Sequence, residues 1–325
     1  ILITADGGFR GTKITPLKDI SDQAMKNTPS IKKCIVLKRT QNNITMQHDR
    51  DLWWHNEMKK ASEKCSVEIM NSEDPLFILY TSGSTGKPKG IQHSTAGYMI
   101  YTEFSFRNVF QYNDGDTYWC TADIGWITGH SYIIYGPLLA GATTIMFEGI
   151  PSYPDAGRFW QIVEENKVNI FYTAPTAIRA LEACGEEFLK PYNLSSLKVL
   201  GTVGEPINED AWHWYDKKIG NENAPIVDTW WQTETGGIMI SNLAGVTPAK
   251  PTFATLPLPG IQPCLLDENG DEIEGNSVNG KLCIKFPWPS IARTIYGDHQ
   301  RFKKTYFSTF LNKYFTGDGA LRDEN

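Results

Sequence analysis

The sequence predicts an α/β fold of layered, mostly parallel sheets with helices, followed by a smaller β-rich subdomain. Short apolar runs alternate with stretches of helical periodicity, an order that packs helices against a parallel sheet. After residue 260 the pattern changes to turn dipeptides and an isolated strand, which favours antiparallel hairpins. We therefore expect an α/β region over residues 1–260 and a β-rich subdomain over residues 261–325.

Each predicted element rests on a local pattern. Runs rich in apolar residues predict strands at residues 34–37, 77–80, 144–147, 169–172, 198–200 and 281–286. Helical patterns predict helices over residues 157–166 and 176–184. The dipeptides Asn269-Gly270 and Asn279-Gly280 are typical of two-residue hairpin turns.

Composition argues against several classes of protein. The formal net charge of -6 gives no reason to expect a nucleic-acid partner or an acidic membrane surface. Six scattered cysteines without a CxxC pair indicate reduced thiols in a cytoplasmic protein, and neither they nor the histidines show metal-ligand spacing. The most apolar stretch, residues 132–147, is broken by Gly136, Pro137 and Gly141, so no membrane span is expected.

The chain begins at Ile1 rather than Met and stops at Asn325 without a closing element. We therefore expect a piece of a longer protein. The sequence does not indicate an oligomeric state.

The stretch YTSGSTGKPKG, residues 80–90, has the composition of an anion-binding loop. It fails the Walker pattern twice, because Thr81 stands where the first glycine is required and Pro88 follows Lys87. Its glycines nevertheless allow backbone N–H groups to converge on an anion. Its hydroxyls and cations could contact phosphate oxygens; they belong to Thr81, Ser82, Ser84, Thr85, Lys87 and Lys89. Composition alone leaves open a surface loop without a ligand.

The whole eleven-residue string resembles the phosphate loop of the adenylate-forming superfamily, which includes acyl-CoA synthetases, luciferases and peptide-synthetase adenylation domains. Residues 203–206 resemble its adenine-binding stretch, residues 228–236 its central nucleotide and acyl motif, and residues 314–319 its ribose motif. Residues 122–130 and the pair Trp230-Trp231 are most similar to the acetyl-CoA synthetase class. The resemblance extends along the whole chain and implies the middle of such an enzyme, without its C-terminal, lysine-bearing domain.

The resemblance implies an AMP-forming acetate–CoA ligase that uses acetate, ATP, Mg²⁺ and coenzyme A. ATP or AMP would be bound by Gly204, Glu205, Pro206, Asp228, Thr229, Trp230, Trp231, Gln232, Thr233 and Asp318. Adenylation would use the six loop residues named above together with Glu234, and the magnesium ligands would be Thr85 and Glu234.

The resemblance also implies two further sets of contacts. Trp231 would close a short acyl pocket with Ile127, Thr128 and Val203, whereas Trp230 could equally be a core tryptophan. Coenzyme A would be bound by Arg10, Gly11, Thr12, Lys13, Thr128 and Ser152.

Three alternatives remain open at this point. A propionyl-CoA synthetase would share the bulky pocket floor. A phosphotransferase would release ADP instead of AMP. A non-catalytic nucleotide-binding module would lack turnover because the C-terminal domain is missing.

Overall fold

The computed structural model describes residues 1–82 and 86–324, which form two compact units. The first unit comprises Ile1–Ile69 and Phe147–Arg158, and the second comprises Met70–Met146 and Phe159–Asn325. The polypeptide leaves the second unit after Met146 and returns to it at Phe159. The predicted division at residue 260 does not coincide with these units and stays a prediction.

The first unit is built on a small parallel sheet. Its strands are Leu2–Ala5 (β1), Gly8–Arg10 (β2), Lys13–Thr15 (β3), Cys34–Leu37 (β4) and Asp51–Trp53 (β5), and its helices are Leu17–Met25 (α1) and Trp54–Met58 (α2). Strands β1, β4 and β5 form the parallel sheet in that order, while β2 and β3 form a separate hairpin. Cys34 and Val36 point into the core and alternate with less buried neighbours, as expected for a strand with one covered face.

The second unit contains the remaining strands. They are Pro75–Thr81 (β6), Lys89–Ser94 (β7), Thr117–Cys120 (β8), Thr143–Ile145 (β9), Ile170–Thr173 (β10), Val199–Thr202 (β11), Ile226–Asp228 (β12), Pro263–Leu266 (β13), Val278–Ile284 (β14), Thr294–Ile295 (β15) and Tyr314–Arg322 (β16). Five of them form a parallel sheet in the order β12-β11-β10-β8-β9. Strands β10, β11 and β12 are buried at every position, because a parallel sheet is usually covered on both faces.

Helices connect and cover these strands. They are Thr95–Val109 (α3), Ile127–Gly129 (α4), Gly136–Leu139 (α5), Arg158–Asn166 (α6), Pro175–Glu182 (α7), Glu209–Trp214 (α8) and His299–Phe307 (α9), with π-helical turns at His130–Tyr135 and Tyr215–Ile219 and a 3₁₀ turn at Glu186–Phe188. Within residues 1–82 and 86–324, no helix is both long and apolar enough to cross a membrane.

Two antiparallel sheets complete the second unit, in the orders β15-β7-β6 and β13-β14-β16. The predicted fold class is therefore confirmed: a mostly parallel α/β arrangement with smaller antiparallel sheets. The predicted strands and helices each overlap an observed element of the same type.

The predicted turn at Asn279-Gly280 is wrong. Both residues lie inside β14, where they pair with Leu321 and Ala320 of β16. A Cβ on Gly280 would lie 3.0 Å from Cβ of Leu265, so the glycine permits close packing of neighbouring strands. The turn signal at Asn269-Gly270 is correct: Gly270 has a φ of 90° in the connection between β13 and β14.

Candidate active site

Most of the motifs singled out from the sequence follow strands of the parallel sheet at its carboxyl edge. Strands β8, β11 and β12 end at Cys120, Thr202 and Asp228, and the motif residues come directly after them. The register places Thr173 beside Thr202, and Thr202 beside Asp228. Ligands in open α/β sheets bind outside the carboxyl ends of the strands, so this edge is the natural place for a site.

Asp228 is a buried carboxylate at this edge without a cationic partner among its hydrogen bonds. Oδ1 accepts a hydrogen bond from the hydroxyl of Thr202, and Oδ2 has no partner among the described residues. Burial raises the pKa of Asp228 to about 6, although the Thr202 hydroxyl and the indole N–H of Trp212 oppose the shift. The site therefore contains a buried carboxylate whose neighbouring donors are a hydroxyl and an indole, with no cation beside it.

A hydrogen-bond network joins the end of β12 to the distant motif in β16. Nε2 of Gln232 donates to Oδ2 of Asp318 at 2.8 Å and to the backbone oxygen of Thr316 at 2.8 Å. The indole N–H of Trp230 donates to the same carboxylate oxygen at 3.2 Å. The hydroxyl of Tyr314 donates to Oε1 of Gln232 at 2.8 Å. Trp230 thus binds Asp318 as well as packing against the core.

Glu234 lies at the centre of a second cluster. Its side chain is 10% exposed, and Oε1 accepts hydrogen bonds from Nζ of Lys89 at 3.0 Å and from the hydroxyl of Tyr306. Lys89 also donates to the oxygen of Tyr306 at 2.6 Å. The pKa of Tyr306 is raised, first by burial and then by the charge of Glu234, so the phenol stays protonated as a donor.

The loop from Thr81 to Lys89 connects two antiparallel strands, β6 and β7, whose last paired residues are Thr81 and Lys89. Ser82 and Lys87 are exposed, and Oγ1 of Thr81 is buried without a partner among the described residues. Ser84 and Thr85 lie outside the described residues. The guanidinium of Arg301, on helix α9, donates to the backbone oxygens of Lys87 at 2.8 Å and Pro88 at 3.3 Å.

Buried side chains hold the backbone from Thr233 to Thr235. Nε2 of His93 lies 2.8 Å from the oxygen of Thr233, and burial lowers the pKa of this histidine to about 4. The indole of Trp288 and the hydroxyl of Ser290 both donate to the oxygen of Thr235, at 2.8 Å and 2.6 Å. The segment that carries Glu234 is therefore rigidly supported.

The stretch after β11 serves both as a turn and as a helix cap. Gly204 has a φ of 94°, a conformation that a side chain would strain. The carboxylate of Glu205 accepts hydrogen bonds from the backbone N–H and hydroxyl of Thr176 at the start of α7, and it pairs with Arg179 at 3.2 Å. Because the side chain of Glu205 stabilises α7, only the backbone of Glu205 is available for polar contacts with a ligand. The same holds for Pro206, which has no polar side chain.

The indole of Trp231 is fixed by two tyrosines. Its N–H points to the hydroxyl of Tyr172 at 3.4 Å, and its ring meets that of Tyr132 edge-on at 5.0 Å. Tyr172 also shares a hydrogen bond of 2.6 Å with Thr229. Trp231 packs against the core cluster that contains Val203. Ile127 is buried and Thr128 half-buried in α4.

In the first unit, the four residues from Arg10 to Lys13 form a tight hairpin turn. Arg10 pairs with Lys13 across the two strands, and Gly11 and Thr12 make the turn, with a φ of 60° at Gly11. A Cβ on Gly11 would lie 2.9 Å from Cδ1 of Ile150, so the segment that carries Ser152 packs beside this turn. Arg10, Lys13 and Ser152 are exposed.

Sequence reasoning missed Tyr306, Tyr172, His93 and Arg301, and it gave no role to Tyr314, the first residue of the motif at residues 314–319. The three tyrosines and His93 are buried aromatic side chains whose spacing is that of ordinary core residues. Their polar atoms reach the site only through contacts between distant parts of the chain. For Tyr306, the one available signal was its position on the buried face of α9, four residues after Phe302.

Known proteins are similar to this chain over its whole length. The family model for AMP-binding enzymes matches residues 2–296. The acetyl-coenzyme A synthetases of Desulfatibacillum aliphaticivorans and Syntrophobacter fumaroxidans are 59% and 58% identical over 325 residues, covering all of this chain and 50% of each relative. The acetyl-coenzyme A synthetase of Escherichia coli O157:H7 is 56% identical over 327 residues, with the same coverage. The chain thus spans about half the length of the curated relatives it matches.

Proposed function

The chain belongs to the family of AMP-binding enzymes, and we propose that it forms the nucleotide- and acyl-binding part of an AMP-forming acetate–CoA ligase. The complete enzyme would convert acetate, ATP and coenzyme A into acetyl-CoA, AMP and pyrophosphate through an acetyl-adenylate. The relatives at 56–59% identity carry the name acetyl-coenzyme A synthetase, which supports this choice of acid.

One observation carries the proposal: three motifs that are far apart in the sequence are joined around one edge of the second unit. Trp230 and Gln232 contact Asp318 across more than 80 residues, and Lys89 contacts Glu234 across 145 residues. A nucleotide needs such an arrangement, because its base, ribose and phosphates must be bound together by separate polar groups.

The proposed roles follow from the partners of each group. Asp318 would accept the ribose hydroxyls, and the buried Asp228 would accept an N–H of the base beside Gly204, Glu205 and Pro206. Gln232 and Thr233 would contact the α-phosphate. Thr81, Ser82, Ser84, Thr85, Lys87 and Lys89 would contact the other phosphates. Adenylation brings two anions together, so it depends chiefly on positioning and on the neutralisation of charge.

Magnesium fits the proposed donor set. Mg²⁺ is usually held by one or two carboxylates with substrate phosphates and waters, so a closed protein cage is not required. Within residues 1–82 and 86–324 there is no cluster of three His, Cys, Asp or Glu side chains that could hold a metal. Glu234 is the one carboxylate that we propose as a magnesium ligand. Its hydrogen bonds with Lys89 and Tyr306 both go to Oε1, so neither of them uses Oε2. When bound, the ion would neutralise phosphate charge, with Glu234 and Thr85 as its protein ligands.

The acyl group and coenzyme A would use the remaining predicted residues. Trp231, with Ile127, Thr128 and Val203, would limit the acid to a short chain. In the first unit, coenzyme A would contact the hairpin turn from Arg10 to Lys13 and Ser152. In the second unit, the resemblance assigns Thr128 to coenzyme A. We further propose a cytoplasmic location, which the six unpaired cysteines support. The proposed partners are the small-molecule substrates, with neither nucleic acid nor membrane.

The first test is calorimetric binding of non-reactive alkyl esters of AMP to this chain. We expect ethyl or propyl esters to bind more tightly than AMP, and an octyl ester to be excluded by the indole of Trp231. In the Trp231→Gly variant the octyl ester should bind. Trp160→Phe is a control that changes a buried tryptophan outside the predicted site.

Equal affinity for all esters would contradict the short acyl pocket. The propionate alternative is decided in the complete enzyme by relative rates, because one methylene in an apolar pocket changes selectivity by only about 10- to 200-fold. Release of ADP instead of AMP would identify a phosphotransferase.

A further inference from the structure

We propose that Tyr306 is a positioning residue that holds Glu234 in place when Lys89 moves from that carboxylate to the phosphates of ATP. This inference rests on the proposed function. Tyr306 belongs to none of the motifs that the sequence singled out. It enters the site from helix α9, between the end of the phosphate loop and the segment after β12.

The hydrogen bonds of the cluster form a closed triangle. Lys89 donates to both Oε1 of Glu234 and the oxygen of Tyr306, and Tyr306 donates to the same Oε1. Tyr306 is 4% exposed, and the side chains of Lys89 and Glu234 are 16% and 10% exposed. Water therefore has little access to replace a partner that leaves.

Lys89 has two competing partners in the proposed reaction. It ends the phosphate loop, so an ATP polyphosphate bound there attracts its ammonium group away from Glu234. A buried carboxylate that loses its cation is strongly destabilised unless another donor remains. The hydroxyl of Tyr306 is that donor, and it is already bonded to Oε1 before Lys89 leaves.

Helix α9 is well placed for this task. Asp298 caps its N-terminus by accepting a hydrogen bond from the backbone N–H of Arg301 at 3.0 Å. Arg301 binds the backbone of Lys87 and Pro88, while Tyr306 stacks on Tyr314 with ring centroids 5.5 Å apart. One short helix therefore contacts both the loop that carries Lys89 and the carboxylate that Lys89 neutralises.

The test compares ATP with AMP, because only ATP carries the phosphates that would draw Lys89 away. Binding is measured by calorimetry on the wild-type chain and on Tyr306→Phe, with ATP in the presence and absence of Mg²⁺. We expect Tyr306→Phe to weaken ATP binding by about 10- to 100-fold without Mg²⁺, the size of a hydrogen bond to a charged group. The loss should be smaller with Mg²⁺, because the bound ion would replace Lys89 as the cation beside Glu234. AMP binding should change by less than about twofold.

Two further variants separate positioning from folding. Tyr101→Phe removes a matched buried hydroxyl, which donates to the backbone oxygen of Ile238 at 2.8 Å, and should leave both affinities unchanged. In a Glu234→Gln background, adding Tyr306→Phe should cost far less ATP affinity than it does in the wild type. This difference is the coupling expected if Tyr306 acts through Glu234.

Three outcomes would overturn the inference: an equal loss for AMP and ATP, an unchanged ATP affinity, or a full loss that persists in the Glu234→Gln background. Each of these presupposes a wild-type chain that binds nucleotide. A wild-type chain that binds neither ATP nor AMP would instead refute the proposed function of this chain, and the inference with it.

Discussion

Lys89 and Glu234 form a largely buried ion pair in the second unit, whereas Arg10 and Lys13 face each other on an exposed hairpin in the first. We propose that both regions bind anions. The buried cation needs a carboxylate and a phenol to remain stable without a ligand. The exposed cations repel each other across the strands and are tolerated because water screens them. In this proposal the two regions differ in what anion binding would do. At the buried pair, Lys89 would exchange Glu234 for a phosphate, whereas Arg10 and Lys13 would only gain a partner.

The largest effect should come from breaking the buried pair. Removing one partner of a buried ion pair costs about 3–5 kcal/mol. Because the hydroxyl of Tyr306 still donates to Glu234, we expect Lys89→Met to lower the free energy of unfolding by about 3 kcal/mol, the low end of that range. Urea unfolding of the chain measures this change. The double variant Lys89→Met with Glu234→Gln should recover most of the loss, because no buried charge remains. A single variant as stable as the wild type would show that the pair is not buried in solution.

Asp228 extends the comparison between buried and exposed charges, because it is a buried carboxylate without a cation beside it. The pKa of Asp228 is raised from 3.8 to about 6, so the folded state loses stability as the pH rises through this range and the unfolded chain ionises first. Asp228→Asn removes that loss. We expect the stability of the variant, relative to the wild type, to increase by at most about 3 kcal/mol between pH 4 and pH 7.

The matched control for Asp228 is Asp267→Asn. Backbone N–H groups, first that of Asp271, lower the pKa of Asp267, so its contribution is present above the ordinary pKa and is lost as the pH falls. Its variant should therefore lose relative stability as the pH rises, opposite in sign to Asp228→Asn. The same sign for both variants would contradict burial as the cause of the Asp228 shift.

The smallest effect on stability should come from the exposed hairpin. Replacing Arg10 and Lys13 by Gln should change the free energy of unfolding by less than about 0.5 kcal/mol, because neither side chain is buried. Coenzyme A affinity should fall in the same variant and should depend less on salt. Lys32→Gln, a change at another exposed lysine of the first unit, should alter neither property. A large loss of stability would remove the contrast between the two regions.

Local patterns in the sequence determined the fold class. Short apolar runs predict β4, β10 and β11 because each has a recognisable pattern over four residues. In β10 and β11 all four residues are buried, whereas in β4 buried residues alternate with less buried ones. The loop from Tyr80 to Gly90 was also identifiable, because the residues that give it its chemical character are consecutive in the sequence. The dipeptide Asn279-Gly280 led to a wrong prediction of a turn, because close packing inside a sheet can require glycine just as a turn can.

Only the tertiary structure decided which side chains act together. Tyr306 meets Lys89 across 217 residues and Glu234 across 72, and Trp230 meets Asp318 across 88. No local pattern specifies these contacts, because each depends on how separate strands and helices pack. The sequence by itself determined the fold class and the chemical character of each motif. The packing of α9 and β16 against the carboxyl edge of the parallel sheet determined the partners, because long-range hydrogen bonds form only where the folded chain brings buried donors and acceptors together.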